Sequence, residues 1–251
     1  MLSKKELKYF SSLLYKKYRD KEGKFIVEGK KLVLEGLESN YECEVIIATP
    51  EFLESQEEIF DSETLQNKRI EKLSDREFIK LTDTKNSQGI LAVFSKKKEK
   101  INYSSRLIVG LENISDPGNL GTILRNCDWF GITEVILNDD CADLYSPKVV
   151  RSTMGSLFHL NVEEDKDFYN TINRLKINDY EILCADLTGE NVFQCRLDKK
   201  KFVIVFSNEA NGPSNKLLSL IDRRITIPKL GQAESLNVAS ASAVILAELC
   251  K

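Results

Sequence analysis

The chain has 251 residues, 42% hydrophobic and 30% charged, with a formal net charge of −3. That length can bury one large core or two ordinary ones, with usual domain sizes favouring two, and the near balance of charge excludes a wholly basic nucleic-acid binder. The apolar-rich run at 239–247 is far shorter than the roughly 20 residues of a membrane span, and residues 1–8 hold no apolar signal-peptide core, so a soluble cytoplasmic protein is expected.

Residues 1–31 carry ten Lys or Arg against four acids. Such a face can steer a polyanion such as RNA, or it can be the solvated side of an amphipathic helix. Leu7, Phe10, Leu13 and Leu14 recur at helical spacing and predict a helix over 4–14, after which 24–29 reads as a short strand closed by glycine. A helix over 30–37, a strand over 43–49, a helix opened by Pro50, a charged segment over 61–72, a helix over 75–81 and a strand over 89–94 complete an α/β unit of residues 1–95. Residues 96–105, with Lys96, Lys97, Lys98 and Lys100 and few apolar side chains, read as an exposed linker. Beyond it, in a second domain over 106–251, apolar strands at 107–111, 134–137, 181–185, 202–206 and 224–227 alternate with helical segments. That alternation is the pattern of a parallel sheet covered on both faces, so the fold class is α/β.

Cys43, Cys127, Cys141, Cys184, Cys195 and Cys250 are scattered without a C-x-x-C pair, and several sit in apolar runs where a thiol serves as a small core residue. With His159 as the single histidine, no metal site, disulfide framework or histidine-based triad is suggested.

The most informative stretch is Asp116-Pro117-Gly118-Asn119-Leu120-Gly121-Thr122, which ends a strand and opens a helix bearing Arg125. Leu120, Ile123, Leu124 and Cys127 form a buried stripe on that helix, so Arg125, off the stripe, points away from the core. Asp116 or Asn119 can cap the helix, and Gly118 with Gly121 lets backbone N–H groups approach an anion. The spacing is not that of a dinucleotide-binding or Walker loop, which disfavours a nicotinamide-dependent dehydrogenase and an NTPase.

Two further segments bear on the same chemistry. Ser207-Asn208-Glu209-Ala210-Asn211-Gly212 follows a strand of core character, where open α/β sheets bind ligands. Ile227-Pro228 leads through Ser235-Leu236-Asn237-Val238 to the small residues 239–243 that start the last helix.

Together these segments resemble the three motifs of the SpoU (TrmH) family of RNA ribose 2′-O-methyltransferases: Asn113-x-x-Asp116-Pro117-Gly118-Asn119-x-Gly121-x-x-x-Arg125, Asn208-Glu209-x-x-Gly212, and Ile227-Pro228 through Ser235-Leu236-Asn237-Val238. Residues 1–95, through Lys17-x-Arg19, Phe25-Ile26-Val27-Glu28-Gly29 and Gln88-Gly89-Ile90-Leu91-Ala92-Val93, are similar to the family's L30e-like substrate-binding domain. The resemblance implies a trefoil-knotted catalytic domain, S-adenosylmethionine as cofactor, a homodimer, and RNA as partner, ribosomal more than transfer RNA. A cofactor pocket of Leu187, Ser207, Asn208, Gly212, Ile227, Leu236 and Val238 is implied as well. Arg125 would hold the substrate phosphate and stabilise the developing alkoxide, Asn119 and Ser235 would orient it, Glu209 would tie the motifs together, and Asn237 would support the knot. Ser207 and Ala210 stand where the family commonly has glycine, which adds side chains around the cofactor. The competing expectations are a transfer-RNA ribose methyltransferase and a non-catalytic RNA-binding protein on the same fold.

Overall fold

In the computed structural model, which describes residues 2–56, 68–196, 200–208 and 212–251, the strands form a four-stranded and a six-stranded sheet. The chain divides into two units: Met1–Lys97 with Asp143–Phe158, and Lys98–Ala142 with His159–Lys251.

In the first unit, strands β1 (Lys24–Glu28), β2 (Cys43–Ala48), β3 (Ile70–Lys72) and β4 (Ile90–Ser95) are ordered β1-β4-β2-β3. β4 runs antiparallel to β1 and β2, while β2 and β3 are parallel. Phe10, Leu13, Ile26, Val45, Ile47, Leu91 and Val93 share one buried cluster. The N-terminal helix, expected over 4–14, spans Lys4–Ser12 and is followed by a separate helix Lys16–Glu22. It starts in a capping box between Ser3 and Glu6. Near its end, the Ser11 and Ser12 hydroxyls donate back to the carbonyls of Lys8 and Tyr9 at 3.0 and 2.6 Å. Such local side-chain bonds compete with continuation of the helix. Most of the charged segment expected over 61–72 lies outside the described residues; its described end holds β3.

Residues 143–158 belong to this first unit although they lie, in chain order, within 106–251. Arg19, only 3% exposed, donates through Nη2 and Nε to Asp143 at 2.5 and 3.2 Å and through Nη1 to the Leu13 carbonyl at 2.8 Å. Tyr145 packs its ring 4.6 Å from that of Phe25, and Phe158 sits between Tyr41 and Phe94.

In the second unit, β5 (Leu107–Glu112), β6 (Glu134–Asn138), β7 (Asn161–Asp165), β8 (Glu181–Asn191), β9 (Phe202–Ser207) and β10 (Arg223–Thr226) are ordered β10-β8-β9-β5-β6-β7, with every pairing parallel. Ile108, Ile136, Phe168, Ile172, Tyr180, Ile182, Val203 and Val205 fill a core beneath the helix Phe168–Ile177. β7 is a strand without a sequence expectation, because Asn161-Val162-Glu163-Glu164-Asp165 lacks an apolar run. Its buried Glu163 is satisfied by Lys100 and by the Ile101 amide at 3.0 Å. β5 and β9 are central neighbours, with Glu112 opposite Ser207. From β5 the chain proceeds outward to β6 and β7, then returns to build β8 and β9 on the other side. The direction of strand order therefore reverses between β5 and β9, the kind of switch point beside which open α/β sheets bind ligands. Among the described residues no helix is long and apolar enough to cross a membrane, and no group of three or more His, Cys, Asp or Glu could hold a metal ion.

Candidate active site

The C-terminal end of β5 sets the first wall of the site. Asn113 takes the left-handed conformation, φ 59°, which an asparagine tolerates better than most residues. Its amide donates to Asn138 Oδ1 at 2.9 Å, and Asn138 Nδ2 donates back to its side chain at 2.6 Å. Asp116 then caps the helix Pro117–Trp129, accepting from the Asn119 amide at 2.8 Å, with Pro117 in the first turn where no amide hydrogen is needed. Leu120, Ile123, Leu124 and Cys127 are buried. Arg125 is exposed and makes no ion pair with a described residue, so its guanidinium is available to an external anion.

The third motif meets this helix directly. Asn237 caps the last helix, Val238–Leu249, accepting from the amides of Ala239 and Ser240 at 3.0 and 3.3 Å. Its Nδ2 donates to Asn119 Oδ1 at 2.9 Å. Two turns along, Asn126 Nδ2 donates to the Ala239 carbonyl and to Ser242 Oγ, both at 2.9 Å. Residues more than a hundred positions apart thus lock the arginine-bearing helix to the C-terminal helix.

Beside this junction, at the ends of β8, β9 and β10, lies a cavity of about 580 Å³, within the roughly 300–1,000 Å³ range of small-molecule sites. Leu187, Ser207, Asn208, Gly212, Ile227, Leu236 and Val238 all line it, together with Ser235. Asn119, Arg125 and Asn237 stand outside its lining, and Glu209 lies outside the described residues. The leucines, Ile227 and Val238 supply an apolar wall suited to a purine, while Ser207 and Asn208 supply polar edges. A Cβ at Gly212 (φ 61°) would meet no atom of the other described residues within 4 Å, which leaves the backbone there approachable by a ligand. This donor set and shape fit an S-adenosyl nucleoside.

Two features of the site carried no signal in the motif reading. β8 and β10 change register between Arg224 and Ile225, leaving 185–189 to bulge, with Ala185, Asp186 and Leu187 forming one wall of the cavity. Gly189 makes that crossing possible, because a Cβ there would lie 2.6 Å from the Arg224 backbone. The pairing of Arg224 with Asp186 at 3.3 Å and the bond from Thr226 Oγ1 to the Leu187 carbonyl at 3.2 Å hold the bulge. The second feature is Glu112, wholly buried, which accepts from Ser207 Oγ at 2.9 Å, Ser214 Oγ at 2.6 Å, the Ser214 amide at 3.1 Å and Tyr169 OH at 2.8 Å. Burial and the neighbouring carboxylate push the Tyr169 phenol above its ordinary value, outweighing the Ser214 hydrogen bond that lowers it, which keeps it a donor. The thiols of Cys141 and Cys184 are each pushed up to about 12, chiefly by burial, and are not nucleophiles at neutral pH.

Residues 106–247 match the SpoU rRNA Methylase family, and residues 4–92 match the MRM3-like substrate binding domain. The 23S rRNA (guanosine(2553)-2′-O)-methyltransferase RlmP of Bacillus subtilis is 32% identical over 97% of this chain and 95% of its own length. A TrmH-family protein from Porphyromonas gingivalis superposes with a TM-score of 0.88 at 33% identity, covering 99% of this chain and 98% of that one. The AdoMet-bound rRNA methyltransferase from Sinorhizobium meliloti gives a TM-score of 0.84 at 26% identity over 99% and 95% of the two chains. Matched across most of its length in sequence, motif order and sheet topology, this chain belongs to the SpoU rRNA methylase family.

Proposed function

We propose that this chain methylates a ribose 2′-hydroxyl in structured ribosomal RNA, using S-adenosylmethionine. The observation that carries the reading is the bond from Asn237 to Asn119, which joins the arginine-bearing helix to the segment lining the cavity. Residues 1–95 would bind the RNA, and 106–251 would hold the cofactor and the chemistry. The family resemblance further supports a trefoil-knotted catalytic domain, a homodimer and a cytoplasmic location.

S-adenosylmethionine, when bound, supplies an electrophilic sulfonium methyl. Leu187, Ile227, Leu236 and Val238 would hold the nucleoside, and Ser207, Asn208 and the open backbone at Gly212 would meet its polar edges. A ribose hydroxyl is a weak nucleophile, so the protein must place it in line and favour its ionised form. An arginine remains protonated at neutral pH. Arg125 therefore acts best as a fixed cation, gripping the adjacent phosphate bidentately and stabilising negative charge as it grows on the oxygen. Asn119 and Ser235 orient that grip, with Asn119 held in turn by Asn237. Glu209 would link the second motif to the other two.

The test is transfer of labelled methyl from S-adenosylmethionine to ribosomal RNA isolated from cells lacking this chain, followed by nucleoside analysis of the digest. A labelled 2′-O-methylnucleoside is the expected product. Absence of both cofactor binding and transfer by the full chain, across ribosomal subunits and free RNA, would sink the reading; label in transfer RNA alone would redirect it.

A further inference from the structure

We propose that Glu112 is a positioning residue for cofactor binding: a buried side chain that ties Ser207, at the end of β9, and Ser214, ahead of the helix Asn215–Leu218, to the start of the arginine-bearing loop. The assignment rests on the methyltransferase reading above and deepens it. Glu112 is 0% exposed and pairs with no cation among the described residues. A carboxyl group is tolerated at such burial only when hydrogen-bond partners meet its oxygens. Here Oε1 accepts from Ser214 Oγ at 2.6 Å and Tyr169 OH at 2.8 Å, and Oε2 accepts from Ser207 Oγ at 2.9 Å and the Ser214 amide at 3.1 Å.

The placement of those donors separates positioning from mere stability. Ser207 lines the cavity at the end of β9, and Ser214 directly follows the cavity residues Gly212 and Pro213. Ser214 also caps the helix Asn215–Leu218, accepting from the Leu217 amide at 3.2 Å. Asn113, next to Glu112, accepts through its carbonyl from Asn208 Nδ2 at 3.1 Å. The dipeptide 112–113 therefore grips Ser207, Asn208 and Ser214, and the same dipeptide leads into Asp116, Asn119 and Arg125. A side chain bearing all four bonds from one rigid strand end sets the cavity wall and the arginine loop in a single register.

Glu112→Gln in the full chain keeps the shape but turns one acceptor end into a donor, so the four existing donors can no longer all be met. The dissociation constant for S-adenosylmethionine, read by calorimetry, should rise about tenfold or more, with kcat at saturating cofactor falling less than about threefold and thermal unfolding staying cooperative. Tyr169→Phe should weaken cofactor binding in the parent and add little on top of Glu112→Gln, since both act through one carboxylate. If Glu112→Gln does not fold, Tyr169→Phe, which removes one donor from outside the cavity lining, carries the same expectation. An unchanged cofactor affinity in the folded variants overturns the assignment, as does a loss that merely tracks the unfolded fraction. Failure of the parent protein to bind S-adenosylmethionine would instead strike the methyltransferase reading itself.

Discussion

The two sheets assign their strand ends differently, and that difference decides where chemistry can gather. In the first unit β4 runs against β1, β2 and β3, so its C-terminal end opens on the side opposite to theirs. In the second unit all strands run together, so the ends of β5, β8, β9 and β10 open on one side, bringing Glu112, Leu187, Ser207 and Ile227 to one rim. The first unit carries the cationic N-terminal segment, with ten Lys or Arg in residues 1–31. The second carries the cavity and the exposed Arg125. The proposed function assigns attraction of the polyanion to the first unit and its transformation to the second.

The largest effect should come from the parallel sheet. Arg125→Ala is expected to lower the methyl-transfer rate by about 10² to 10³ in single-turnover assays. Its cofactor affinity should stay at the parent value, because Arg125 lies outside the cavity lining. A rate within twofold of the parent would break the proposed division of labour.

Gly189→Ala sharpens the comparison at the bulge. The added Cβ would press on the Arg224 backbone at 2.6 Å, and overpacking of this kind costs about 1–3 kcal/mol. Both denaturant stability and cofactor affinity should fall; retention of both would mean that β10 shifts without cost. Asn237→Ala removes a helix cap worth about 1 kcal/mol and also the bond to Asn119. Its Tm should drop, and a double cycle with Asn119→Ala should be non-additive.

In the first unit, replacing Lys4, Lys5, Lys8 and Lys16 with Gln should weaken RNA binding. For every lysine that neutralises a phosphate, its replacement should flatten the salt dependence by about 0.7–0.9 in log–log slope, with cofactor affinity untouched. An unchanged slope would make these lysines a solvated helix face. The smallest effect concerns the thiols. With Cys141 and Cys184 pushed up to about 12 by burial, neither is appreciably ionised at pH 8. Alkylation mapped by mass spectrometry should reach them only after denaturation, and rapid labelling of either in the native protein would contradict the packing described.

Much of the second unit was legible because its strands are continuous apolar runs and its motifs are local. The buried stripe Leu120, Ile123, Leu124 and Cys127 left Arg125 outside, as the structure has it. What escaped was non-local or disguised. β7 hides behind Glu163, Glu164 and Asp165: Glu164 faces outward, and the burial of Glu163 becomes tolerable only through Lys100 and the Ile101 amide. The bulge at 185–189 depends on how closely Arg224 passes Gly189, a contact no single segment announces. Glu112 sits between a strand pattern that ends at Leu111 and a motif that begins at Asn113, and its meaning lies in donors from Tyr169, Ser207 and Ser214.

The detour of residues 143–158 has a practical corollary for dissecting the protein. A fragment ended at the lysine-rich stretch would strand the Arg19 guanidinium without Asp143 and take Tyr145 from Phe25 and Phe158 from Tyr41. Scission at a single peptide bond therefore cannot yield two self-sufficient halves. Separation would need the detour to be grafted back, and evolutionary shuffling of either half would have to carry the borrowed piece along.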